Sequence, residues 1–158
     1  MTLLLRPAGP EDLEEASALC LRSKAHWGYD AAFLASCRVE LTLTSDDLAR
    51  DFVRLATWDG AVQGVLHVAV DAKQAWLEKL FVDPGAMGRG IGRALFASGA
   101  DWARAEGADE MVIEADPGAV PFYRRMGAHP AGQVPSGSVP GRVLPRLVLR
   151  LSSAGAVV

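Results

Sequence analysis

The sequence predicts a single α/β domain of mainly antiparallel strands flanked by helices. Three observations carry this. The chain has 158 residues, half of them hydrophobic, which suits one compact domain burying about 68 to 70% of the surface of its unfolded chain. Residues 52–82 read as three strands joined by short turns. From residue 83 a glycine-rich turn changes the apolar period from two to that of a helix.

Taken in order, Leu3 to Arg6 suits a first strand, and Gly9-Pro10-Glu11-Asp12 opens a helix near 10–23 with Leu13, Ala16, Leu19 and Cys20 at helical spacing. Lys24-Ala25-His26-Trp27-Gly28-Tyr29 interrupts the pattern. Asp30 then caps a second helix carrying Phe33, Leu34 and Cys37. Thr44-Ser45-Asp46-Asp47 starts a short helical turn. Phe52 to Trp58, Ala61 to Val70 and Ala75 to Val82 form the meander, with Asp59-Gly60 as a hairpin turn. A helix marked by Ile91, Leu95, Trp102 and Ala103 ends at Gly107. Met111 to Ala115 is a strand, Ala119 to Met126 a helix stopped by Gly127, and Leu144 to Leu151 the last strand, preceded by a turn-rich loop from Pro135 to Arg142. One domain is expected over 1–151, with 152–158 a loose tail.

The net charge of −3 does not recruit a polyanion, so nucleic acid is not an expected partner. Arginine far outnumbers lysine (Lys24, Lys73, Lys79), a bias read as genome composition. Cys20 and Cys37 are too few for a disulfide framework and suit buried thiols of a reducing compartment. No segment approaches a membrane span or a signal core, so a cytoplasmic protein is expected. His26, His67 and His129 lie far apart with no ligand pattern, and no metal is expected.

A strand feeding a helix through a glycine-rich turn offers free N–H groups and the positive end of a helix dipole, an anion site suited to phosphate. The spacing fits neither a dinucleotide fingerprint nor a Walker loop. Leu80-Phe81-Val82-Asp83-Pro84 through Met87-Gly88-Arg89-Gly90-Ile91-Gly92-Arg93 instead resembles the acyl-coenzyme A pyrophosphate loop of the GNAT superfamily of N-acetyltransferases. Gly90 and Gly92 fill its glycine places and Met87 stands where the family has Gln or Arg. Asp116-Pro117-Gly118-Ala119-Val120-Pro121-Phe122-Tyr123-Arg124-Arg125-Met126-Gly127 resembles the family segment ending Phe-Tyr-x-x-x-Gly, with Asp116 where Asn is usual. The resemblance implies a mixed, mainly antiparallel sheet of about six to seven strands flanked by helices.

It also implies acetyl-coenzyme A as cosubstrate and acetylation of a small-molecule amine by direct attack in a ternary complex. Implied contacts to the cosubstrate come from Leu80, Phe81 and Val82, from Met87, Gly88, Arg89, Gly90, Ile91, Gly92 and Arg93, and from Asp116, Ala119, Phe122 and Tyr123. An alkylammonium with a pKa near 10.4 costs about 4.6 kcal/mol to hold neutral at pH 7, so a base is needed. Glu78 is the candidate, expected on one strand face with Trp76, Leu80 and Val82; a structural carboxylate is the alternative. Tyr123 fills the place of the family's thiolate-protonating tyrosine, or packs the helix onto the sheet. Asp116 reads as an N-cap before Pro117, or as a contact to the pantetheine arm. For the acceptor, the candidates are His26, Trp27 and Tyr29 on one loop and Ser136, Ser138 and Arg142 on another. The rival readings are a non-catalytic acyl-coenzyme A sensor and an enzyme acting on a protein N-terminus, lysine or aminoacyl-tRNA. Pairing of two copies as a homodimer stays open.

Overall fold

The computed structural model describes residues 2–151; the expected tail, 152–158, lies outside them. Seven strands form one sheet: β1 (Leu3–Pro7), β2 (Phe52–Trp58), β3 (Ala61–Asp71), β4 (Gln74–Val82), β5 (Glu110–Glu114), β6 (His129–Pro135) and β7 (Val143–Arg150). Their order is β1-β2-β3-β4-β5-β7-β6. Only β4 and β5 run parallel, because they alone are joined by a crossover helix, α4 (Ile91–Ala105). The other helices are α1 (Leu13–Ala25), α2 (Ala31–Leu41), α3 (Ser45–Arg50) and α5 (Val120–Arg125). The first helix begins later than its sequence pattern suggested, because Pro10–Asp12 closes as a separate 3-10 turn.

Two cores sandwich the sheet. On one face α4 and α5 bury Ile91, Leu95, Phe96 and Tyr123 against Leu66, Val68, Met111, Ile113 and Leu147. On the other, Leu19 and Cys20 of α1 and Cys37 and Leu41 of α2 cover Leu55 and Val65. Small residues let α4 lie close to β3. A Cβ on Gly64 would come within 2.7 Å of Leu95, and one on Gly99 within 3.0 Å of Val68, so a larger residue at either place would overpack a close-packed interior.

β6 is the strand the sequence hid. Pro130, Gly132 and Pro135 break any alternation, and a proline-bearing strand survives only where one side of the ladder needs no donor. That is its position: an exposed edge that pairs with β7 alone.

The site is prepared by two irregularities in β4. Its parallel pairing with β5 stops at Leu77 opposite Ile113, although β4 runs on to Val82, so the sheet opens into a wedge. Against β3, Val68 pairs with Leu77 and His67 with Lys79, leaving Glu78 as the extra residue of a bulge. The expected alternation therefore fails there. Leu77, Leu80 and Val82 all pack on the α4 side, and Glu78 does not share that face with Leu80 and Val82.

A candidate acetyl-coenzyme A cleft where the sheet opens

A cleft of about 510 Å³ occupies the wedge. One wall is β4, from Leu77 to Val82; the other is the end of β5 and the segment Asp116 to Tyr123. Asp83 N–H donates to Gln63 C=O at 2.8 Å. Backbone polar groups in an antiparallel strand alternate sides, so those of Leu80 and Val82 turn away from β3 and into the cleft. They present a sheet edge with no strand to pair.

At the floor of the cleft lies the turn before α4, contributed by Met87, Gly88, Gly90, Ile91, Gly92 and Arg93. Gly88 and Gly90 have φ of 81° and 83°, in the left-handed region where glycine is favoured. Gly90 is the N-cap of α4 and has no side-chain cap, so the first N–H groups of a 15-residue helix face an anion without competition. A Cβ on Gly90 would meet nothing within 4 Å, which leaves the backbone open to close approach. Arg89 turns away, its guanidinium 5.1 Å from the Trp58 ring, and does not line the cleft.

The catalytic candidates meet in the same space. Glu78 and Tyr123 both line it, as do Ala119 and Phe122. Burial, and then the charge of Asp116, push the Tyr123 hydroxyl well above the ordinary 10.0, so it keeps its proton at neutral pH. Partial burial also raises the Glu78 carboxyl. His67 and Lys79 oppose that rise, while Asp51 and Glu114 reinforce it. Burial pushes the Cys20 thiol up to about 12, which keeps it protonated and unsuited to nucleophilic work.

Asp116 does more than cap. Its Oδ1 accepts from Gly118 N–H at 3.3 Å, while Oδ2 accepts from Tyr29 Oη at 2.7 Å and Lys24 Nζ at 3.0 Å. Arg142 Nη2 donates to Tyr29 Oη at 2.7 Å and lies 3.5 Å from the same carboxylate oxygen. Burial works to raise this carboxyl, but the bonds from Tyr29 and Lys24 and the Lys24 charge outweigh it and hold it below the ordinary value of 3.8. Two loops that are distant in sequence are thus tied across one end of the cleft.

The sequence model of the Acetyltransferase (GNAT) family matches residues 14–128. The chain belongs to this family. It is 37% identical over 84 residues to streptothricin acetyltransferase of Streptomyces lavendulae, covering 50% of this chain and 44% of that one. It is 35% identical over 118 residues to mycothiol acetyltransferase of Beutenbergia cavernae, covering 71% and 40%. The chain therefore spans less than half the length of the curated relatives it matches. PaiA N-acetyltransferase from Thermoplasma acidophilum, solved with coenzyme A, has a TM-score of 0.81 at 18% identity, covering 95% of this chain and 99% of that one. The seven-stranded open sheet is thus the GNAT fold, and the family's cosubstrate is acetyl-coenzyme A. This chain's unpaired β4 edge and bare helix N-terminus fit such a ligand, whose amide-bearing arm needs backbone partners and whose pyrophosphate needs N–H donors.

Of the GNAT acceptor candidates, Trp27 lines the cleft and lies flat on Gly118, where a Cβ would approach it to 2.6 Å. The other acceptor candidates do not line it. Tyr29 and Arg142 are engaged with Asp116. His26 meets only the edge of Trp27, with ring centroids 6.4 Å apart. Ser136 Oγ accepts from the N–H groups of Ser138 and Val139 within its own turn, and Ser138 Oγ reaches Cys37 Sγ at 3.7 Å. Sequence reasoning missed Lys24, Glu40, Lys79 and Glu114, which also line the cleft. No spacing links these residues, and only the fold brings them together. It missed equally the meeting of His67 with Asp51, Nε2 to Oδ2 at 2.8 Å. A shallower depression of about 740 Å³ between α1 and α2 holds none of the motif residues. Among the described residues no helix is long and apolar enough to cross a membrane.

Proposed function

We propose that this chain transfers the acetyl group of acetyl-coenzyme A to the amine of a small molecule, by direct attack within a ternary complex. The observation that carries the reading is the wedge between β4 and β5. It joins a phosphate-binding helix terminus to an unpaired strand edge and ends, about 13 Å along β4 from Val82, at Glu78. Backbone groups of Leu80 and Val82 hold the pantetheine arm, and the N–H groups from Gly88 to Gly92 hold the pyrophosphate. Glu78 takes a proton from the acceptor ammonium, directly or through water. The neutral amine then attacks the thioester carbonyl and a backbone N–H of β4 steadies the oxyanion; as the C–S bond breaks, Tyr123 protonates the departing thiolate and regains a proton from the newly bonded nitrogen.

The cleft is lined by Glu40, Glu78, Glu114 and Asp116 and equally by Lys24, Lys79, Arg93 and Arg125, so a small amine acceptor is supported by single carboxylates beside the ring of Trp27 and not by a net field. The names of the two curated relatives, for streptothricin and mycothiol, point the same way. The test is release of coenzyme A thiol with a panel of streptothricin, simple alkylamines and peptides with free N-termini. Turnover with small amines supports the reading, and turnover with peptides alone replaces the acceptor class. Tight acetyl-coenzyme A binding with no turnover favours a sensor, for which Met87 in place of a polar loop residue is the supporting feature.

A further inference from the structure

His67 has no part in the chemistry above, yet its surroundings are those of a working base. It is 3% exposed. Its Nε2 lies 2.8 Å from Asp51 Oδ2. An ionised carboxylate can only accept, so in the neutral ring Nε2 carries the proton and Nδ1 is left with a free lone pair. That Nδ1 is buried and has no protein partner among the described residues. A buried acceptor left unpaired is costly and calls for an explanation.

The bulge supplies a direction. His67 stands opposite Lys79, and Glu78 is the residue inserted beside that pair. Since Leu77 and Leu80 both pack on the α4 side, the two residues between them, Glu78 and Lys79, are left to the opposite face, which they share with His67. Both also line the cleft, so His67 sits directly behind the cleft wall at the candidate base. The charged groups facing it are Asp47 and Asp51 from α3 and its end, and Glu78 and Lys79 from β4; the Cys20 thiol of α1 lies beyond Lys79. Three carboxylates against one ammonium leave an excess of negative charge that a proton on His67 reduces.

We propose that His67, oriented by Asp51, is a positioning residue that acts through Glu78, receiving at Nδ1 the proton that Glu78 takes from the acceptor. The inference rests on the acetyltransferase reading. The N–H bond of the acceptor ammonium breaks and its proton passes to the Glu78 carboxylate; the carboxyl, which is not hydrogen-bonded to His67 at rest, then turns to Nδ1 and donates the proton there, giving an imidazolium whose Nε2–H stays on Asp51. Glu78 is again ionised before the amine attacks. After product leaves, the proton returns by Glu78 to solvent.

The experiment combines kinetics and nuclear magnetic resonance on the full chain. With acetyl-coenzyme A and streptothricin, His67→Gln should lower kcat tenfold or more and displace the acidic limb of the kcat profile. In a Glu78→Gln background the same substitution should change kcat less than twofold. Asp51→Asn, at a partly exposed site, should reproduce the displaced limb if His67→Gln does not fold. Additive effects or an unmoved limb overturn the proposal. In parallel, ¹⁵N-histidine spectra should show the proton on Nε2 and a His67 titration that moves to lower pH in Glu78→Gln. A proton on Nδ1, or a midpoint indifferent to Glu78, overturns it even if streptothricin is not turned over, so the relay and the acceptor assignment fail separately.

Discussion

The phenol of Tyr29 donates to Asp116 at 2.7 Å while accepting from Arg142 at the same distance, so one hydroxyl couples the loop after α1 to the loop after β6 through a carboxylate on the segment before α5. With Lys24 adding its own bond to Asp116, the carboxylate joins two cations and a phenol that also meet over the stacked rings of Tyr29 and Phe33. Burial, then the bond to Asp116, raises the Tyr29 hydroxyl to about 12, so this link does not titrate in the physiological range.

Asp116→Asn should therefore destabilise the fold by about 1–3 kcal/mol at neutral pH. The sign of its pH dependence follows from its depressed pKa. The ionised form is favoured in the folded state, so the contribution is present above the ordinary carboxylate value of 3.8 and is lost as pH falls through the folded value. Urea midpoints of wild type and variant should lie well apart at pH 7 and draw together only as pH falls below 3.8. A gap that stays constant would remove the ionised carboxylate from the account.

Gly90→Val should weaken acetyl-coenzyme A binding by tenfold or more while leaving the chain folded. A β-branched residue at a φ of 83° carries a local cost of about 1–2 kcal/mol, and its side chain would occupy the open space beside the helix terminus. Calorimetric titration with acetyl-coenzyme A checks this, and wild-type affinity would move the pyrophosphate elsewhere.

Tyr123→Phe should lower turnover by about 10² to 10⁴, toward the low end because a thiolate already leaves well. Affinity for coenzyme A should hardly change. If turnover is unaltered with chemistry rate-limiting, the ring is a packing element against Phe96 and Phe122 and nothing more.

Glu78→Gln should depress kcat at neutral pH and regain part of the loss above pH 9, where more of the acceptor is already neutral. A variant profile parallel to wild type at every pH would mean that Glu78 is not the proton acceptor.

The glycine-rich turn and the Phe-Tyr segment were legible because each is local: backbone conformation and a helix start are encoded within a dozen residues. Trp27 was legible as an aromatic in a loop, but its seat on Gly118 was not. The β4 bulge was invisible for a physical reason. Alternation along Trp76, Glu78, Leu80 and Val82 looks regular in the chain, and only the count of β3 residues across the ladder shows that one is extra. The Asp116 hub and the His67–Asp51 pair depend likewise on contacts between segments far apart, 92 residues for Lys24 and Asp116 and 16 for His67 and Asp51. Ser136 and Ser138 looked free because a hydroxyl in a turn carries no sign of its partner, here backbone N–H groups for Ser136 and the distant Cys37 thiol for Ser138.

The parting of β4 from β5 also bears on how this protein persists in a cell. Its two half-sheets are stitched directly by only four residue pairs, Gln74 to Leu77 against Glu110 to Ile113, and the missing rungs are supplied by whatever lies in the gap. A cosubstrate present at 100 times its dissociation constant would add about 2.7 kcal/mol to the folded state. Melting temperature and resistance to proteolysis should then track the coenzyme A pool, making the protein's lifetime a readout of metabolic state independent of any acceptor.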